Sequence, residues 1–593
     1  MKKNKSFWRA LFVYMGAYRS NVAVAAVCSG FVGIAVALQP LVIKYIVDDG
    51  INRPGTPSQK LTATMIFVAL YLFLSLFRIS VWTIGYRRLI TAVEGLLFEL
   101  RIRFFRHIQH LCFRFHDRTS SGEMFNYIFG TPINSLKTFL NQFCLTVPYQ
   151  FVSWIVVVFT LAKLNIFMTF ITVAMAATIV MINRRSMRII RRYAADFMET
   201  ESTASRYVAD MLRGSRAIKI HAIEKRSTDF FYEQMNMIFI RGRSLAFRQQ
   251  IEHIKPEGLQ YVCIAVIYGA GSFLCIYGKL TVGKFFAFIS SINLLMGPLL
   301  TLLEINLVRA NAESGLERIE KIIKTQTTTP ELPPAARVNI EKQSGIARKN
   351  NWPVIEFKNV EFRYKDMPVF EGIDCEVRDG ESVALVGPSG SGKTTFVNLI
   401  LRFYDPQSGA ILFNRENLKH YSIRDIRSSF GVVPQDPFLF QMTVRENITI
   451  ARPEAREDEI MAAVEAAYAS EFIKQLPDGW NTEIGESGAN LSGGQRQRIA
   501  IARALLANPR YYIFDEATSA LDNESEKKIQ LAMKKIMEGH TTIVIAHRLS
   551  TIRNVDRILV FEKGRIIQEG TYEQLSLQEG LFRNLLNTGN EIS

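Results

Sequence analysis

A glycine-rich segment in the second half of the chain has the residue types and spacing of a phosphate-binding loop. The sequence Gly387-Pro-Ser-Gly-Ser-Gly-Lys393-Thr394 follows a short apolar stretch, Ser382–Val386, and precedes a helical pattern. Glycines let backbone N–H groups approach phosphate oxygens, and a helix N-terminus adds positive potential. Lys393 could reach the terminal phosphates, and the Thr394 hydroxyl could bind Mg²⁺. The expected phosphate contacts are Gly387, Pro388, Ser389, Gly390, Ser391, Gly392, Lys393, Thr394 and Thr395.

Two more strand-like segments end in residues suited to hydrolysis. Tyr511–Phe514 is followed by Asp515 and Glu516. Asp515 is well placed to hold Mg²⁺ through water, and Glu516 could polarise an attacking water molecule. Thr541–Ile545 ends just before His547, which could contact the γ-phosphate or serve only as a turn residue. Together these segments predict an ATP-hydrolysing site.

A third motif carries a family resemblance. Leu491-Ser-Gly-Gly-Gln495 resembles the signature sequence of the ATP-binding cassette (ABC) ATPases. Gln435, the segment Ser519-Ala-Leu-Asp522 and His547 complete the pattern, and Tyr364 matches the aromatic residue that stacks on adenine in this family. The resemblance covers residues 354–590, with one minor departure at Tyr511-Tyr512, where aliphatic residues are more usual.

The resemblance implies a role for each matching residue. It assigns catalysis to Glu516, His547 and Gln435, Mg²⁺ binding to Thr394, Gln435 and Asp515, and nucleotide contact to Tyr364, Ser492, Gly493, Gly494 and Gln495. It also implies two chains, with the signature of one closing over ATP held by the phosphate loop of the other. Because every motif is intact, a homodimer is favoured, and a heterodimer remains open.

Charge divides the 593-residue chain into two unlike halves. Residues 1–350 contain 43 Lys and Arg against 21 Asp and Glu, whereas residues 351–593 contain 28 against 34. This excludes a single globular enzyme, a disordered chain and a coiled-coil rod. The basic half also holds long apolar runs, which favour a membrane rather than nucleic acid as its partner.

Six apolar runs in the basic half are each about long enough to cross a bilayer as helices. They lie at about 20–46, 61–85, 141–161, 166–183, 258–277 and 285–307. The segments Met1–Arg19, Arg87–Lys137 and Arg184–Lys255 carry 28 basic residues, against five on the opposite side. The positive-inside rule therefore places both termini in the cytoplasm, most simply at a bacterial inner membrane. The two long inner segments have helical periodicity and predict helices that extend beyond the membrane.

The basic half also resembles the exporter type of the ABC family, which includes lipid A flippases and multidrug exporters. The resemblance lies in Gln39–Asp48, Phe115–Glu123 and the sequence from Leu212 to Glu224, although the family's acidic pair after Glu123 is replaced here by Gly130-Thr-Pro-Ile-Asn134. We expect a six-helix transmembrane domain (1–324), a polar linker of little periodicity (325–353) and an α/β nucleotide-binding domain of P-loop type (354–593).

Charged residues inside apolar runs are the candidates for substrate contact. Arg78 suits an anionic headgroup and matches an arginine of lipid A flippases, although snorkelling or pairing within the bundle is an equal alternative. The simpler explanation for Glu304 is that it lies at the membrane–water interface, near the inner end of the last span. Gly297-Pro-Leu-Leu300 is apolar where lipid A flippases tend to be basic.

The leading hypothesis is ATP-driven export or flipping of an amphipathic lipid, with a lipid A-type glycolipid as first guess. A multidrug or peptide exporter of the same architecture is the alternative. An ATP-gated channel or regulator is less favoured because Glu516 and His547 are intact.

Overall fold

The computed structural model describes residues 2–117, 119–349, 352–485, 488, 490–515, 523–546 and 552–587. The chain divides into two compact units. The first comprises Met1–Gln109 and Ser120–Thr325, and the second comprises His110–Thr119 and Gln326–Ser593.

Helices make up the first unit, as expected for backbone that must satisfy its own hydrogen bonds in hydrocarbon. In chain order, with α4 belonging to the second unit, the helices are α1 (Lys2–Met15), α2 (Arg19–Tyr45), α3 (Pro57–His110), α4 (Phe113–His116), α5 (Ser121–Phe129), α6 (Thr131–Asn141), α7 (Val147–Leu164), α8 (Ile166–Arg213), α9 (Ser215–Ile220), α10 (Glu224–Ile276) and α11 (Val282–Ile323). A 3₁₀ turn lies at Gly16–Tyr18, and π-helical turns lie at Ile46–Ile51 and Gln142–Thr146.

Five stretches of the described residues are long and apolar enough to cross a membrane: Phe7–Ile51, Pro57–His110, Ser121–Leu164, Ile166–Arg213 and Glu224–Ile276. The sixth predicted span lies in α11, where Val282–Ile292 is a shorter apolar stretch.

Three of these helices are much longer than a membrane span. The helices α3, α8 and α10 have 54, 48 and 53 residues. At 1.5 Å per residue each is about 70–80 Å long, against roughly 30 Å of hydrocarbon. The predicted helical extensions beyond the apolar stretches are therefore confirmed.

Two sheets form the framework of the second unit. A four-stranded antiparallel sheet has the order β2-β1-β4-β5, and a six-stranded sheet has the order β10-β9-β3-β8-β7-β6. The strands are β1 (Ile355–Tyr364), β2 (Met367–Val377), β3 (Ser382–Val386), β4 (Ser408–Phe413), β5 (Glu416–Asn417), β6 (Phe430–Val433), β7 (Tyr511–Asp515), β8 (Thr541–Ile545), β9 (Arg557–Glu562) and β10 (Arg565–Gly570). In the larger sheet only the edge strand β10 is antiparallel to its neighbour.

The helices of this unit complete the α/β fold. They are α12 (Ile340–Lys349), α13 (Lys393–Ile400), α14 (Ile423–Ser428), α15 (Val444–Thr449), α16 (Glu457–Ala466), α17 (Ser470–Gln475), α18 (Gly493–Leu506), α19 (Asn523–Met537), α20 (Tyr572–Leu577) and α21 (Leu581–Asn587). Short 3₁₀ turns lie at Pro334–Ala336, Leu418–His420 and Gly479–Asn481.

The central strands of the larger sheet are buried on both faces. In β3, Ala384 and Val386 belong to one hydrophobic cluster and Val383 and Leu385 to another. Alternate side chains of a strand point to opposite faces, so each face packs against its own core. This explains why the strands read as continuous apolar runs in the sequence.

The segment predicted as a linker contains more structure than its composition suggests. Helix α12 lies within it, and Ser344 accepts a hydrogen bond of 3.0 Å from Nδ2 of the buried Asn414. Nε2 of Gln343 donates to the Asn414 carbonyl oxygen at 3.1 Å. These partners are about 70 residues away in sequence, so local periodicity could not reveal the helix.

Candidate functional site

The predicted nucleotide residues meet at one edge of the six-stranded sheet. In the parallel ladders Leu385 pairs with Ile545, and Ile545 pairs with Asp515. Val433 pairs with Phe514 on the next strand. The loops that follow β3, β6, β7 and β8 therefore leave the sheet at the same carboxyl edge, where ligands bind in open α/β sheets.

The phosphate loop has a backbone that only glycine permits. Gly392 has φ of 111°, and a Cβ atom there would lie 2.5 Å from the Phe370 ring. Gly387 has φ of 151°, and its Cβ would lie 2.2 Å from the Phe561 carbonyl oxygen. A side chain would force the loop away from Phe370 of β2 or from Phe561 of β9, so both glycines maintain the cradle.

Lys393 supplies the charge of the loop. Its side chain is 5% exposed, and Nζ donates to the carbonyl oxygens of Gly387 at 2.5 Å and Pro388 at 3.0 Å. The ammonium group therefore lies inside the loop rather than in solvent. The buried Ser391 hydroxyl lacks a hydrogen-bond partner among the described residues. A buried cation and an unsatisfied hydroxyl in one cradle suit a phosphate group.

Tyr364 lies at the end of β1, close to the phosphate-loop helix α13. Thr395 Oγ1 and Asn398 Nδ2 donate weakly to its hydroxyl, at 3.4 and 3.5 Å. Its ring packs edge-on against Phe362 and Tyr404, with centroids 4.8 and 5.2 Å apart. The half-buried ring is thereby fixed as a platform beside the phosphate loop.

The predicted metal ligands are oxygen donors at the same sheet edge. The Thr394 side chain is exposed in the first turn of α13, Asp515 ends β7 half-buried, and Gln435 is exposed two residues after β6. A hydroxyl, an amide and a carboxylate suit Mg²⁺, which takes few protein ligands and completes its shell with phosphates and water. The donor set therefore fits this ion.

The signature residues form the N-terminus of α18. Ser492 Oγ accepts a hydrogen bond from the Gln495 N–H at 3.2 Å, and Gln495 Oε1 accepts one from the Ser492 N–H at 2.8 Å. This capping box leaves the N–H groups of Gly493 and Gly494 in the first turn of a 14-residue helix. Such a helix end attracts anions.

Two predicted catalytic residues lie outside the part of the chain that the structure describes. Glu516 follows β7 directly, and His547 follows β8 by two residues, so the described strands lead to both from the carboxyl edge. The departure at Tyr511-Tyr512 is explained by packing. Both side chains are at most 3% exposed, and burial raises the pKa of Tyr512 to about 12, so the ring stays neutral.

A loop segment from the first half of the sequence packs within the second unit. The Phe113 ring of α4 stacks on Phe403, with centroids 4.8 Å apart, and Tyr404 donates its hydroxyl hydrogen bond to Asp117. Burial and this carboxylate raise the pKa of Tyr404. The sequence left the position of the coupling contact open, and in the structure His110–Thr119 belongs to the second unit. Only the fold could reveal the partners, which lie 287 residues apart.

In the helical unit, Arg78 lines a cavity of about 350 Å³ between α2, α3 and α7. The other lining residues are Val32, Val36, Ile79, Trp82, Thr83 and Tyr149. Trp82 and Tyr149 meet edge to face, with centroids 5.8 Å apart. Within the described residues Arg78 forms no ion pair. The sequence did not single out Trp82, although its i+4 spacing from Arg78 on a helix is a signal for a shared face.

Glu304, the other predicted substrate contact, lies in α11, and its side chain is outside the described part of the chain. Its proposed role therefore stays a prediction.

Comparisons with known proteins agree with this architecture. The family described as "ABC transporter" matches residues 370–519, and "ABC transporter transmembrane region" matches residues 22–299. A Bacillus subtilis protein named putative multidrug export ATP-binding/permease protein YgaD is 33% identical over 97% of each chain. An ATP-dependent lipid A-core flippase of Desulfotalea psychrophila is 32% identical over 83% of this chain and 84% of the relative.

A solved structure has the same fold. The bacterial Atm1-family ABC exporter with ATP bound matches with a TM-score of 0.81 and 28% identity, over 96% of this chain and 98% of that one. The chain therefore belongs to the ABC transporter family. It is an exporter with a helical transmembrane region and a nucleotide-binding ATPase that is coupled to transport.

Proposed function

We propose that this exporter moves an amphipathic lipid across the membrane at the expense of ATP, with a lipid A-type glycolipid as the first substrate to test. The observation that best supports this proposal is the cavity at Arg78, which is also lined by the aromatic rings of Trp82 and Tyr149. A cation next to apolar and aromatic surface suits a molecule with an anionic head and an apolar body.

ATP hydrolysis is assigned to residues at the carboxyl edge of the six-stranded sheet. Lys393 and the backbone of residues 387–395 hold the phosphates, and Tyr364 supports the adenine. Glu516 acts as general base toward the attacking water, while His547 and Gln435 contact the γ-phosphate and the water. The strands β6, β7 and β8 all end at the edge that carries the phosphate loop, which supports this assignment.

Mg²⁺ belongs to the same proposal. Thr394, Gln435 and Asp515 would hold it, and the ion would neutralise charge on the β- and γ-phosphates. Thr394 lies in the first turn of α13, Gln435 follows β6 by two residues, and Asp515 ends β7, so all three lie near the carboxyl edge.

Two copies of the chain are proposed to form the transporter. In this arrangement Ser492, Gly493, Gly494 and Gln495 of one copy complete the nucleotide site of the other. Their position at the N-terminus of α18, where Ser492 is exposed, supports the proposal, because such an end attracts the phosphates of a nucleotide held across an interface. Hydrolysis would remove contacts that hold the two sites closed.

Coupling is proposed to run through α4. Phe113 and Asp117 bind Phe403 and Tyr404, and Tyr404 also touches the Tyr364 ring. A shift of the adenine platform could thus reach α4 through one intervening aromatic side chain.

The protein is proposed to lie in a bacterial inner membrane with both termini in the cytoplasm, as the distribution of basic residues predicts. Protease protection of tags at the two termini in inside-out vesicles would test this orientation.

A multidrug exporter is the second candidate. The cavity at Arg78 is otherwise apolar and aromatic, and the YgaD relative, whose name indicates multidrug export, covers more of the chain than the flippase does. Uncharged or cationic amphiphiles would then be substrates, and Arg78 would serve the packing of the bundle.

The test is ATPase activity of the full-length protein in phosphatidylcholine liposomes, with and without a lipid A-type glycolipid. We expect stimulation in the wild type and its loss in Arg78→Gln. Arg87→Gln on the same helix is the matched control because Arg87 is exposed and does not line the cavity.

The outcomes of this experiment distinguish the candidate functions. Absence of glycolipid stimulation together with stimulation by cationic drugs would favour the multidrug exporter. Equal stimulation of the wild type and Arg78→Gln would refute the role of Arg78. Transport unaffected by Glu516→Gln would favour an ATP-gated regulator.

A further inference from the structure

Five arginines occupy one face of α8 directly after its apolar stretch. They are Arg184, Arg185, Arg188, Arg191 and Arg192, named here the arginine stripe, and all five are exposed. At about 100° per residue they fall within an arc of about 120°. Cations scattered at random along a nine-residue segment would not be confined to a third of the helix circumference.

The opposite face of α8 packs against α10, which fixes the direction of the stripe. Ser186 donates to the buried Glu252 at 2.7 Å, and the Tyr193 ring lies 5.4 Å from the Arg248 guanidinium. Ser186 and Tyr193 lie about 140–160° around the helix from the centre of the stripe. The stripe therefore points away from the helix pair.

Pairing distinguishes the stripe from the neighbouring cations. Arg241 binds Asp196 at 2.6 Å, and Lys255 binds Glu252 at 2.6 Å. No stripe guanidinium forms an ion pair with a carboxylate in the part of the chain that the structure describes. Five exposed guanidiniums thus remain available for an anionic partner.

Distance along the helix places the stripe at a membrane surface. The predicted span 166–183 has 18 residues, about 27 Å of helix, against roughly 30 Å of hydrocarbon. Arg184 follows at once, and Arg192 lies about 12 Å further along, roughly one and a half Debye lengths at physiological salt. Arginine clusters at this depth match the phosphates of lipid headgroups in position and in charge.

We propose that the arginine stripe binds anionic phospholipid headgroups at the membrane–water boundary, as a surface separate from the cavity at Arg78. The lipids bound there surround the protein and are not its transported substrate. The proposal depends on α8 crossing the membrane and is independent of the substrate proposed above.

The experiment is native mass spectrometry of the detergent-purified full-length protein titrated with phosphatidylglycerol or phosphatidylcholine. The test variant is Arg184→Gln/Arg188→Gln/Arg191→Gln. The matched control, Arg206→Gln/Arg216→Gln/Arg226→Gln, removes the same charge from exposed sites outside the stripe. The first of these sites, Arg206, lies about 33 Å from Arg184 along α8. A lysine version, Arg184→Lys/Arg188→Lys/Arg191→Lys, keeps the charge but loses the bidentate geometry.

We expect phosphatidylglycerol to bind more tightly than phosphatidylcholine to the wild type. The test variant should bind phosphatidylglycerol at least about tenfold more weakly, the control should match the wild type, and the lysine version should fall between them. Unchanged thermal unfolding of the test variant would show that it folds.

Equal binding of the two lipids, or equal affinity in the wild type and the test variant, would overturn the proposal. Loss of dimer mass in the test variant with unchanged lipid binding would also overturn it, because the stripe would then contact a second copy. If the test variant unfolds, the lysine version decides: phosphatidylglycerol binding equal to that of the wild type in low salt and unaffected by high salt would exclude an electrostatic headgroup site.

Discussion

At the scale of single residues, buried charge determines what the second unit can do. Lys393 is almost completely buried, and its ammonium group donates to the carbonyl oxygens of Gly387 and Pro388 in its own loop. A phosphate that enters the loop could therefore take the place of these carbonyl oxygens as the partner of the Lys393 ammonium group, and it would offer a full negative charge instead of a dipole. We therefore propose that Lys393 both binds a phosphate and braces the loop.

Replacing Lys393 should consequently abolish most ATP hydrolysis. We expect Lys393→Ala to lower the ATPase rate of the full-length protein by about a hundredfold or more, because one preorganised donor to the phosphates is lost. The measurement is phosphate release in liposomes. Lys365→Ala, which removes an exposed lysine just after β1, is the control and should retain the wild-type rate. A similar rate in both variants would contradict the assigned role.

Arg402 is a second buried cation, and its role is structural. It is 1% exposed, pairs with Asp405 at 3.2 Å and donates to the carbonyl oxygens of Pro330 at 2.8 Å and Tyr421 at 3.2 Å. It thereby attaches residue 330, within the predicted linker, to the body of the nucleotide-binding unit.

Removing this guanidinium should destabilise the fold. We expect Arg402→Ala to cost about 3 kcal/mol, because Asp405 and two carbonyl oxygens lose their donor in a buried place. Differential scanning calorimetry of the full-length protein should show a lower Tm for the transition of the nucleotide-binding unit. The exposed Arg424 provides the control variant Arg424→Ala, and an equal effect of the two substitutions would refute the anchoring role.

At the scale of elements, the ends of helices carry much of the organisation. In the helical unit, Asp48 accepts hydrogen bonds from Thr281 Oγ1 at 2.5 Å and from the Gly283 N–H at 2.8 Å. The Asp48 carboxylate, just after the first apolar run, thus caps the start of α11. It joins Asp48 to Thr281, which lies 233 residues away in the chain. Its neighbour Asp49 is more exposed and pairs with Lys44 at 3.3 Å.

The two aspartates offer a matched comparison. We expect Asp48→Ala to destabilise the helical unit by about 1–2 kcal/mol, because the α11 N-terminus loses an acceptor and a favourable charge. Asp49→Ala should change stability by less than about 0.5 kcal/mol, as is usual for an exposed pair. Thermal unfolding in detergent compares them, and equal loss in both would show that the cap contributes nothing.

At the scale of the whole molecule, the two halves use charge in different ways. The basic half carries most of its excess on segments that flank apolar helices, where we expect it to orient the chain in the membrane. The acidic half binds a polyanion through local geometry, with one buried lysine and the start of α13. A positive net charge therefore says little about the nucleotide site.

The dimer proposal belongs to this scale. We expect two differently tagged copies of the full-length chain, co-expressed and purified through one tag, to be recovered together. Copies with Lys393→Ala and copies with Gly493→Asp, each expected to be inactive alone, should recover ATPase activity when mixed, because one site of each mixed dimer would combine the intact phosphate loop of one copy with the intact signature of the other. Absence of recovery would contradict shared sites.

Much of the candidate nucleotide site could be proposed from the sequence, because its chemistry depends on local spacing. The residues from Gly387 to Thr395 occupy consecutive positions, and Ser492 to Gln495 form one helix start, so a short window contains each motif. The parallel strands that carry Asp515 and Gln435 were also recognisable as short apolar runs before polar residues. Their meeting at one edge required strand order, which the sequence does not display.

The sequence by itself determined the family, the presence of membrane helices and the identity of the nucleotide-binding motifs, because these depend on composition, periodicity and contiguous residues. The tertiary structure decided which distant groups meet. It placed α4 against Phe403 and Tyr404, attached Pro330 to Arg402, and brought Tyr149 beside Arg78 and Trp82. These contacts join residues that are far apart in the chain, and only packing between elements selects them.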